Sequence, residues 1–408
     1  KGSRQTDNRM VALVLPLNRR HPGLKRMPVF YIGLILAAVH AGLFTGCASG
    51  KLERARSEFY RGETARAVET LSDPDGVPQR SRMVYLMEKG LVLHVAGDYE
   101  ESIAALRQAT ALMSEQETIS VSRQGGSLVT SEWITQYKGE YAERLLVHTY
   151  LMMNYLLLRE FDGALVDAKQ ALEVIDAYPD ASTRDYFTRA LIAHCFEAAG
   201  EVNGAYIEYR KLAKDMSDPL PLAAPLYRLA VQLGFPDHAE TYARWMQEAG
   251  IPVPEFEPQA EVMVFAAQGK GPVKMPKNII VPPSIRFSFA QYRERSPRLS
   301  DPYLVHGGSG ALPQNRLATD VSSVLKTSLS ERASRIIAKE TARVVAKEAI
   351  AHNIDDETIE ALVRIAFFIL EEPDTRAWET LPGRLTLIRS ILEPGTHDLR
   401  VRNHRGDI

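Results

Sequence analysis

The sequence predicts a mostly α-helical protein, in which an array of stacked helical hairpins is followed by a smaller α+β domain. A turn motif recurs five times between residues 62 and 234, which indicates repeated hairpins. The helical pattern stops at Pro252, Pro254 and Pro258, and alternation typical of β-strands begins soon after residue 260. With 408 residues, 45% of them hydrophobic, the chain can bury two cores. We therefore expect a repeat domain at 47–257 and a second domain at 258–408.

The charge balance and the cysteine content limit which kinds of partner and cross-link the protein can have. Lys and Arg total 49 against 51 Asp and Glu, so no overall positive charge favours a nucleic-acid partner. The chain has two cysteines, Cys47 and Cys195. Since Cys47 lies at the end of a predicted export signal, Cys195 is expected to be a free, buried thiol without a disulfide partner.

Residues 1–46 have the organisation of a signal peptide with sequence upstream of it. Arg19, Arg20, Lys25 and Arg26 precede an uncharged stretch from Met27 to Gly46. The stretch ends in a sequence that resembles the lipobox of bacterial lipoproteins, with Cys47 supplying the thiol for the lipid: Leu43, Phe44, Thr45, Gly46, Cys47. An uncleaved transmembrane helix is the alternative. Both readings put residues 48–408 outside the cytoplasm, because the basic flank stays inside.

The repeat pattern places a turn at Gly62, Gly97, Arg159, Gly200 and Gly234. Each turn is followed five residues later by a small residue that lets two helices approach: Ala67, Ser102, Ala164, Ala205 and Ala239. Two of the four steps between turns match the 34-residue period of tetratricopeptide repeats (TPR), so the pattern resembles that family. The longest step contains residues 114–140, which read as a polar loop that either binds a partner or is disordered. The groove of such an array either binds a protein or supports the C-terminal domain.

The second domain is predicted to contain both strands and helices. Alternating apolar residues indicate strands at 262–265, 285–289, 385–391 and 397–401. Helical spacing is found at 317–351 and 355–369. Whether a further strand follows Ile408 is left open by the sequence.

Several segments together resemble poorly characterised bacterial TPR lipoproteins, over most of residues 47–405. The resemblance implies a role in cell-envelope assembly, since genes of such proteins are often found near those of lipoproteins similar to curli-export or peptidoglycan-synthase-activator proteins. It brings no catalytic residues with it. Ala48 after the cysteine, by similarity to enterobacterial lipoproteins, favours the outer membrane. The segments are 137–140 with Glu143, 154–161, 164–166, 260–262, 271–274, 317–321, 374–378 and 381–382.

Motifs for catalysis, cofactors and metals are not found. The glycine clusters lack the Lys-Ser/Thr of a phosphate loop, and no His or Cys spacing offers a metal site. One basic stripe recurs at steps of three and four residues, and it is either a solvated helix face or a contact with anionic lipid or an acidic partner. Its members are Arg332, Arg335, Lys339, Arg343 and Lys347.

These observations favour a non-catalytic, lipid-anchored scaffold of the outer membrane, facing the periplasm, whose repeat groove binds an envelope protein. No nucleic acid, cofactor or small-molecule substrate is expected. The alternative is an envelope enzyme, or an activator of one that acts on peptidoglycan, and it would require converging acid, base or nucleophilic groups in one pocket.

Overall fold

The computed structural model describes residues 46–122, 136–253, 260–281, 285–296, 299–307, 311–332, 373–403 and 406–407. Leu43, Phe44 and Thr45 of the predicted lipobox lie outside the described residues. For Gly46 and Cys47 the backbone alone is described, and it begins the first helix. Among the described residues, no helix is both long and apolar enough to cross a membrane.

Between residues 46 and 253, the described residues include ten helices that form five successive hairpins, as the repeat pattern predicts. A single helical turn, Pro179–Ser182, separates the third hairpin from the fourth. The paired helices are α1 Gly46–Tyr60 and α2 Thr64–Thr70; α3 Arg82–Ala96 and α4 Tyr99–Ser122; α5 Tyr141–Leu157 and α6 Phe161–Ala177; α7 Tyr186–Ala198 and α8 Val202–Asp215; α9 Ala223–Gln232 and α10 Pro236–Glu248.

The turn inside every hairpin passes through a residue with positive φ, which confirms the five predicted turn positions. The φ angles are 78° at Gly62, 90° at Gly97, 59° at Arg159, 78° at Gly200 and 71° at Gly234. Glycine is the usual occupant of such positions because a Cβ atom crowds the following carbonyl. Arg159 is the non-glycine residue with positive φ among those described.

The small residue five positions after each turn is buried, as predicted. Ala67, Ser102, Ala164 and Ala205 are 0% exposed, and Ala239 is 7% exposed. In the second hairpin, the Ser102 hydroxyl donates a hydrogen bond to the carbonyl of Gly90 at 2.6 Å, so the second helix lies directly against the first. A larger residue at any of these positions would separate the two helices.

The prediction of a loop starting at residue 114 was wrong, because α4 continues to Ser122. The C-terminal part of α4 contacts the segment that begins at residue 136. Met113 is 6% exposed, and the side-chain amide of Gln116 donates to the Tyr137 carbonyl at 3.1 Å. Residues 123–135 lie outside the described part.

In the described part of the chain, eight strands after α10 form three antiparallel sheets ordered β1-β6-β5, β2-β3 and β4-β7-β8. They overlap all four predicted strand regions. The strands are β1 Ala260–Gln268, β2 Val273–Val281, β3 Ile285–Arg293, β4 Tyr303–His306, β5 Asn315–Asp320, β6 Arg384–Leu392, β7 Leu399–Asn403 and β8 Gly406–Asp407.

The predicted helix at 317–351 begins too early, since residues 317–320 belong to β5 and residues 321–332 are helical. Leu317 pairs with Leu387, and Thr319 pairs with Leu385 on the central strand β6. Both Leu317 and Thr319 are buried there, at 5% and 1% exposure. Tertiary pairing therefore overrides the local helical spacing. Residues 333–351 and the predicted helix at 355–369 lie outside the described residues.

Helices and strands share one hydrophobic core. The first helix of the fourth hairpin, α7, packs against β5 and β6. Leu191 and Ile192 of α7 belong to the same core cluster as Leu385 and Leu387 of β6. Residues 385–390 of β6 are buried without a break, as expected for a central strand covered on both faces. The C-terminal region is thus packed onto the helical array.

We expect the hairpin turns to control stability through their backbone alone. Gly97→Ala should lower the free energy of unfolding by about 1 kcal/mol, because an alanine at φ 90° is strained while its Cβ would meet nothing within 4 Å. Arg159→Gly should raise it, by less than about 1 kcal/mol, by removing the same strain. Urea unfolding followed by circular dichroism measures both. A destabilising Arg159→Gly would contradict this account of the turns.

Candidate functional site: the buried joint between helices and strands

Residues 373–383 cross the first helices of three successive hairpins. We call them the crossing segment. It has no regular secondary structure, and its residues contact Arg56 on α1, Glu88 on α3 and Glu143 on α5. Charged residues are rarely buried unless they are paired, and Glu88 and Glu143 are 1% and 0% exposed. We call the buried polar contacts between the helices and the C-terminal region, including those of the crossing segment, the joint.

Arg56 and Glu88 bind the crossing segment where it passes the first two hairpins. The Arg56 guanidinium donates to the Glu88 carboxylate at 2.8 Å, to the Glu379 carboxylate at 2.9 Å and to the Ala377 carbonyl at 2.9 Å. The Glu88 carboxylate also accepts the backbone N–H groups of Glu379 at 2.9 Å and Thr380 at 3.2 Å. One carboxylate thus fixes two successive peptide groups through charge-assisted hydrogen bonds.

Tyr60, at the end of α1, extends this contact to the base of the β2-β3 hairpin. Arg295 donates to the Tyr60 hydroxyl at 3.0 Å and to the Gly271 carbonyl at 2.6 Å. The ammonium of Lys270 lies 4.4 Å from the centre of the Tyr60 ring. Burial raises the pKa of Tyr60 to about 12, so its hydroxyl stays protonated and donates to the Glu379 carbonyl.

Glu140 and Glu143, at the start of α5, form the centre of the joint. Glu143 accepts from the backbone N–H of Glu140 at 2.7 Å, which is half of a capping box. It also accepts from the Trp378 N–H at 2.9 Å and from the Tyr137 hydroxyl. Glu140 forms an ion pair with Lys274 of β2 at 2.7 Å. Its other oxygen pairs with Arg332 at 3.1 Å.

The environments of these two carboxylates push their pKa values apart. Burial works to raise the pKa of Glu140, but attraction from Lys274 and Arg332 outweighs it and holds that pKa below its usual range. Burial raises the pKa of Glu143, and the neighbouring Glu140 adds to the effect. Pairs of carboxylates whose pKa values differ in this way also occur at the active sites of enzymes that use acid–base catalysis. Here both residues are almost fully buried and every carboxylate oxygen has a protein partner, so the arrangement holds the chain in place rather than presenting groups to a substrate.

Arg376 and Trp378 add two further contacts from the crossing segment. The Arg376 guanidinium donates to the Arg80 carbonyl at 2.5 Å and lies 5.4 Å from the centre of the Tyr137 ring. Trp378 is 1% exposed, and its ring lies 5.6 Å from that of Tyr150 on α5. An aromatic side chain of this size buried against a helix anchors the segment.

A second polar contact joins α7 to β5. The Thr319 hydroxyl donates to Asp185 at 3.0 Å and accepts the backbone N–H of Phe187 at 2.9 Å. Asp185 also accepts the N–H of Thr188, which caps the helix. The Phe187 and Phe265 rings meet edge to face at 6.2 Å.

A third contact places Arg389 of β6 between helices and strand. Its guanidinium makes a bidentate pair with Glu261 of β1, with both distances 2.8 Å, and contacts Glu197 of α7 at 3.2 Å and the Tyr209 hydroxyl at 2.5 Å. Arg228 pairs with the other oxygen of Glu197 at 3.0 Å. Burial opposes ionisation of Glu197, but Arg389 and Arg228 outweigh it and hold its pKa far below the usual range.

The predictions made for individual residues from the sequence can be compared with the structure only in part. Arg332 pairs with Glu140 inside the joint, while Arg335, Lys339, Arg343 and Lys347 lie outside the described residues, so the basic stripe stays a prediction. The Cys195 side chain is 0% exposed and unpaired with another cysteine, and burial raises the pKa of its thiol. Acylation of Cys47 is likewise still a prediction. Among the described residues, no three His, Cys, Asp or Glu side chains are grouped to hold a metal ion.

Sequence reasoning did not identify the joint, although its signal was present. Segments 137–140 with Glu143, 271–274 and 374–378, which carry much of the resemblance to TPR lipoproteins, converge on it. Glu88 also stands three residues after Tyr85 and three before Leu91, both buried. It therefore lies on the apolar face of α3, where an acidic residue needs a partner.

No model of a protein family matches the chain, and neither does the sequence of any curated protein. Solved structures similar to it include MamA from Desulfovibrio magneticus RS-1, with 14% identity, a TM-score of 0.35 and coverage of 50% of this chain and 94% of that one. A putative kinesin light chain of Podospora anserina with TPR-like repeats has 15% identity, a TM-score of 0.36 and coverage of 50% and 94%. RapI in its apo form has 14% identity, a TM-score of 0.38 and coverage of 52% and 56%.

Removing one partner of the central ion pair should be costly. Lys274→Met leaves Glu140 buried with half of its compensating charge, and we expect a loss of about 3–5 kcal/mol in the free energy of unfolding. The double variant Glu140→Gln, Lys274→Met should recover part of that loss, since the fully buried carboxylate is gone and Arg332, which loses its ion pair with Glu140, is partly exposed. Chemical denaturation of the four members of this double-mutant cycle measures the coupling. Additive effects would contradict a direct Glu140–Lys274 interaction.

We also expect the joint to weaken in acid. Glu140, Glu197 and Glu261 have lowered pKa values, so their contribution to stability is present above their ordinary value near 4.5 and is lost as the pH falls through their folded values. Glu143, with a raised pKa, contributes in the opposite sense. The free energy of unfolding, measured from pH 7 to 3, should fall steeply below about pH 5.

The variant Glu197→Gln tests this acid sensitivity. The control is Glu100→Gln, which changes an exposed glutamate of α4. Glu197→Gln should flatten the decrease below pH 5, whereas Glu100→Gln should leave it as in the wild type. Equal slopes for the wild type and Glu197→Gln would show that this carboxylate does not contribute.

Proposed function

We propose that the protein is a non-catalytic, lipid-anchored scaffold of the bacterial cell envelope. In this proposal Cys47 carries the lipid, the protein lies at the outer membrane facing the periplasm, and its helical array binds envelope protein partners. The basic flank, apolar stretch and lipobox-like ending at Cys47 support the anchor. Resemblance to TPR lipoproteins supports the assembly role.

The observation that carries the scaffold proposal is the division of the array into a covered face and an open edge. On the described residues, the first helices α1, α3, α5 and α7 face the crossing segment and the strands. The chain itself therefore takes the position in which a partner was expected from the sequence. Of the two roles considered for the groove, support of the C-terminal region accounts for these contacts.

The open edge lies along the hairpin turns, and we call it the turn edge. Of the seven exposed large apolar side chains among the described residues, five lie within three residues of the turns at Gly97, Arg159 and Gly234. They are Val95 at 51%, Leu157 at 44%, Phe161 at 41%, Val231 at 38% and Phe235 at 39% exposure. Exposed apolar groups that recur along one edge are typical of protein-binding surfaces. The turn edge is accordingly our candidate surface for a protein partner.

The position of the anchor fits this arrangement. Cys47 is at the first turn of α1, and the turn at Gly62 follows the other end of that 15-residue helix. At 1.5 Å per residue the helix is about 22 Å long. A lipid on Cys47 would leave the turn edge directed away from the membrane, within reach of a periplasmic protein.

Purification from membranes of the native bacterium tests both halves of the proposal. The wild type should carry acyl chains on Cys47, remain in the membrane fraction in high salt and co-purify with envelope proteins, because stable anchoring needs more than one acyl chain. Cys47→Ser should lose the acyl mass in mass spectrometry of the N-terminal peptide. Cys195→Ser, which changes the other cysteine, should keep it. An unmodified Cys47 in the wild type would overturn the anchor.

The partner surface is tested with the same purification. Phe161→Asp and Phe235→Asp should each remove co-purifying proteins while the circular dichroism spectrum stays that of the folded protein, because both side chains are partly exposed. Phe235→Asp also loses ring contacts with Tyr206 and His238, so it should lower the unfolding temperature slightly. Ala104→Asp places the same charge at an exposed position of α4, away from the turns, and should keep the partners. Retention of every partner by both phenylalanine variants would exclude the turn edge.

A further inference from the structure

Two histidines that are 91 residues apart in the sequence meet at the edge of the β4-β7-β8 sheet. His306 is the last residue of β4 and pairs in register with Leu399, the first residue of β7. His397 lies two residues before Leu399, in the connection from β6. The strand pairing therefore fixes the two imidazoles beside each other, a juxtaposition that no local spacing in the sequence indicates.

The contact between the rings is a long hydrogen bond, and its nitrogen–nitrogen distance also fits two ligands on one ion. Nδ1 of His397 lies 3.4 Å from Nε2 of His306, and the ring planes are inclined at 68°. This separation is longer than the roughly 2.7–3.2 Å of ordinary hydrogen bonds. Two nitrogens bound tetrahedrally at about 2.0–2.1 Å from a zinc ion are themselves about 3.3–3.4 Å apart.

The tautomer of His397 also suits a ligand. Its Nε2 lies 2.8 Å from the Glu393 carbonyl, and a carbonyl can only accept, so Nε2 carries the hydrogen. In the neutral ring, Nδ1 then has a free lone pair directed towards His306. Metal-bound histidines nearly always use their second nitrogen in this way, because the hydrogen bond fixes the tautomer and the orientation of the ring.

One acidic residue is next to the pair in the sequence. Asp398 follows His397, and its carboxylate lies against Gly307, which follows His306: a Cβ atom on Gly307 would be 2.4 Å from Oδ2 of Asp398. Arg400 lies 3.6 Å from that carboxylate and partly offsets it. Both imidazoles are half-buried, so a bound ion would keep access to water.

We propose that His306 and His397 bind a divalent transition-metal ion of the zinc type, with water completing its coordination. Borderline ions of this type prefer imidazole nitrogen, in contrast to Mg²⁺ and Ca²⁺, which prefer oxygen. The ion would link the end of β4 to the connection before β7. Since two protein ligands are fewer than the four of a structural zinc site, the ion should be exchangeable.

Titration calorimetry of the full-length protein, purified without a histidine tag, tests this site with Zn²⁺ as the probe. We expect one Zn²⁺ per chain, and at least tenfold weaker binding for His306→Asn and for His397→Asn. His238→Asn, which removes an exposed histidine of α10, should bind as the wild type does. Mg²⁺ should give no signal.

A second measurement separates a shared site from a single histidine. Electron paramagnetic resonance of the protein with one equivalent of Cu²⁺ should show hyperfine coupling to two imidazole nitrogens, reduced to one in either variant. The proposal is overturned if either asparagine variant binds Zn²⁺ with unchanged affinity, because the histidines would then be only in contact with each other.

Discussion

The structure depends on carboxylates of the helical array that are buried together with groups from the C-terminal region. Glu88 holds two peptide N–H groups of the crossing segment, and Glu140 holds Lys274 of β2. Taking such groups out of water costs several kcal/mol each, so neither half of the chain could bury its charges alone. The array and the strands are therefore expected to fold as mutually dependent parts, which agrees with the core cluster that runs through both.

Apolar contacts alone would not fix how the crossing segment lies on the helices. An extended segment can slide along a row of apolar side chains at small cost, whereas a carboxylate that accepts two particular N–H groups permits one register. Glu88 accepts from Glu379 and Thr380, and Glu143 accepts from Trp378. Buried ion pairs contribute little net stability compared with apolar packing, but they can select one arrangement, and this is the role that we assign to the joint.

The parts that the sequence predicted are those governed by local rules. Positive φ at a turn and a small residue between two helices act over a few positions, so Gly97 and Ser102 could be recognised directly. The wrong predictions concern residues whose secondary structure depends on contacts with a part of the chain that is distant in sequence. Leu317 becomes part of a strand because β6 pairs with it, and the turns of α4 near Gln116 are held by Tyr137. The joint was missed for the same reason, since Glu88 and Thr380 are 292 residues apart.

A covered face limits how this helical array could bind a partner. When a repeat protein binds through its first helices, that surface must be exposed before the partner arrives, and its exposed charges are solvated. Here Glu88 and Glu143 are buried, and their carboxylates already accept hydrogen bonds from the chain itself. A partner could replace the crossing segment only if it offered matching N–H groups and a substitute for the buried Trp378. Binding at the turn edge requires no such exchange, because Phe161 and Phe235 are already exposed. The energetic cost of opening the joint is therefore the physical argument for placing partners on the outer edge of the array.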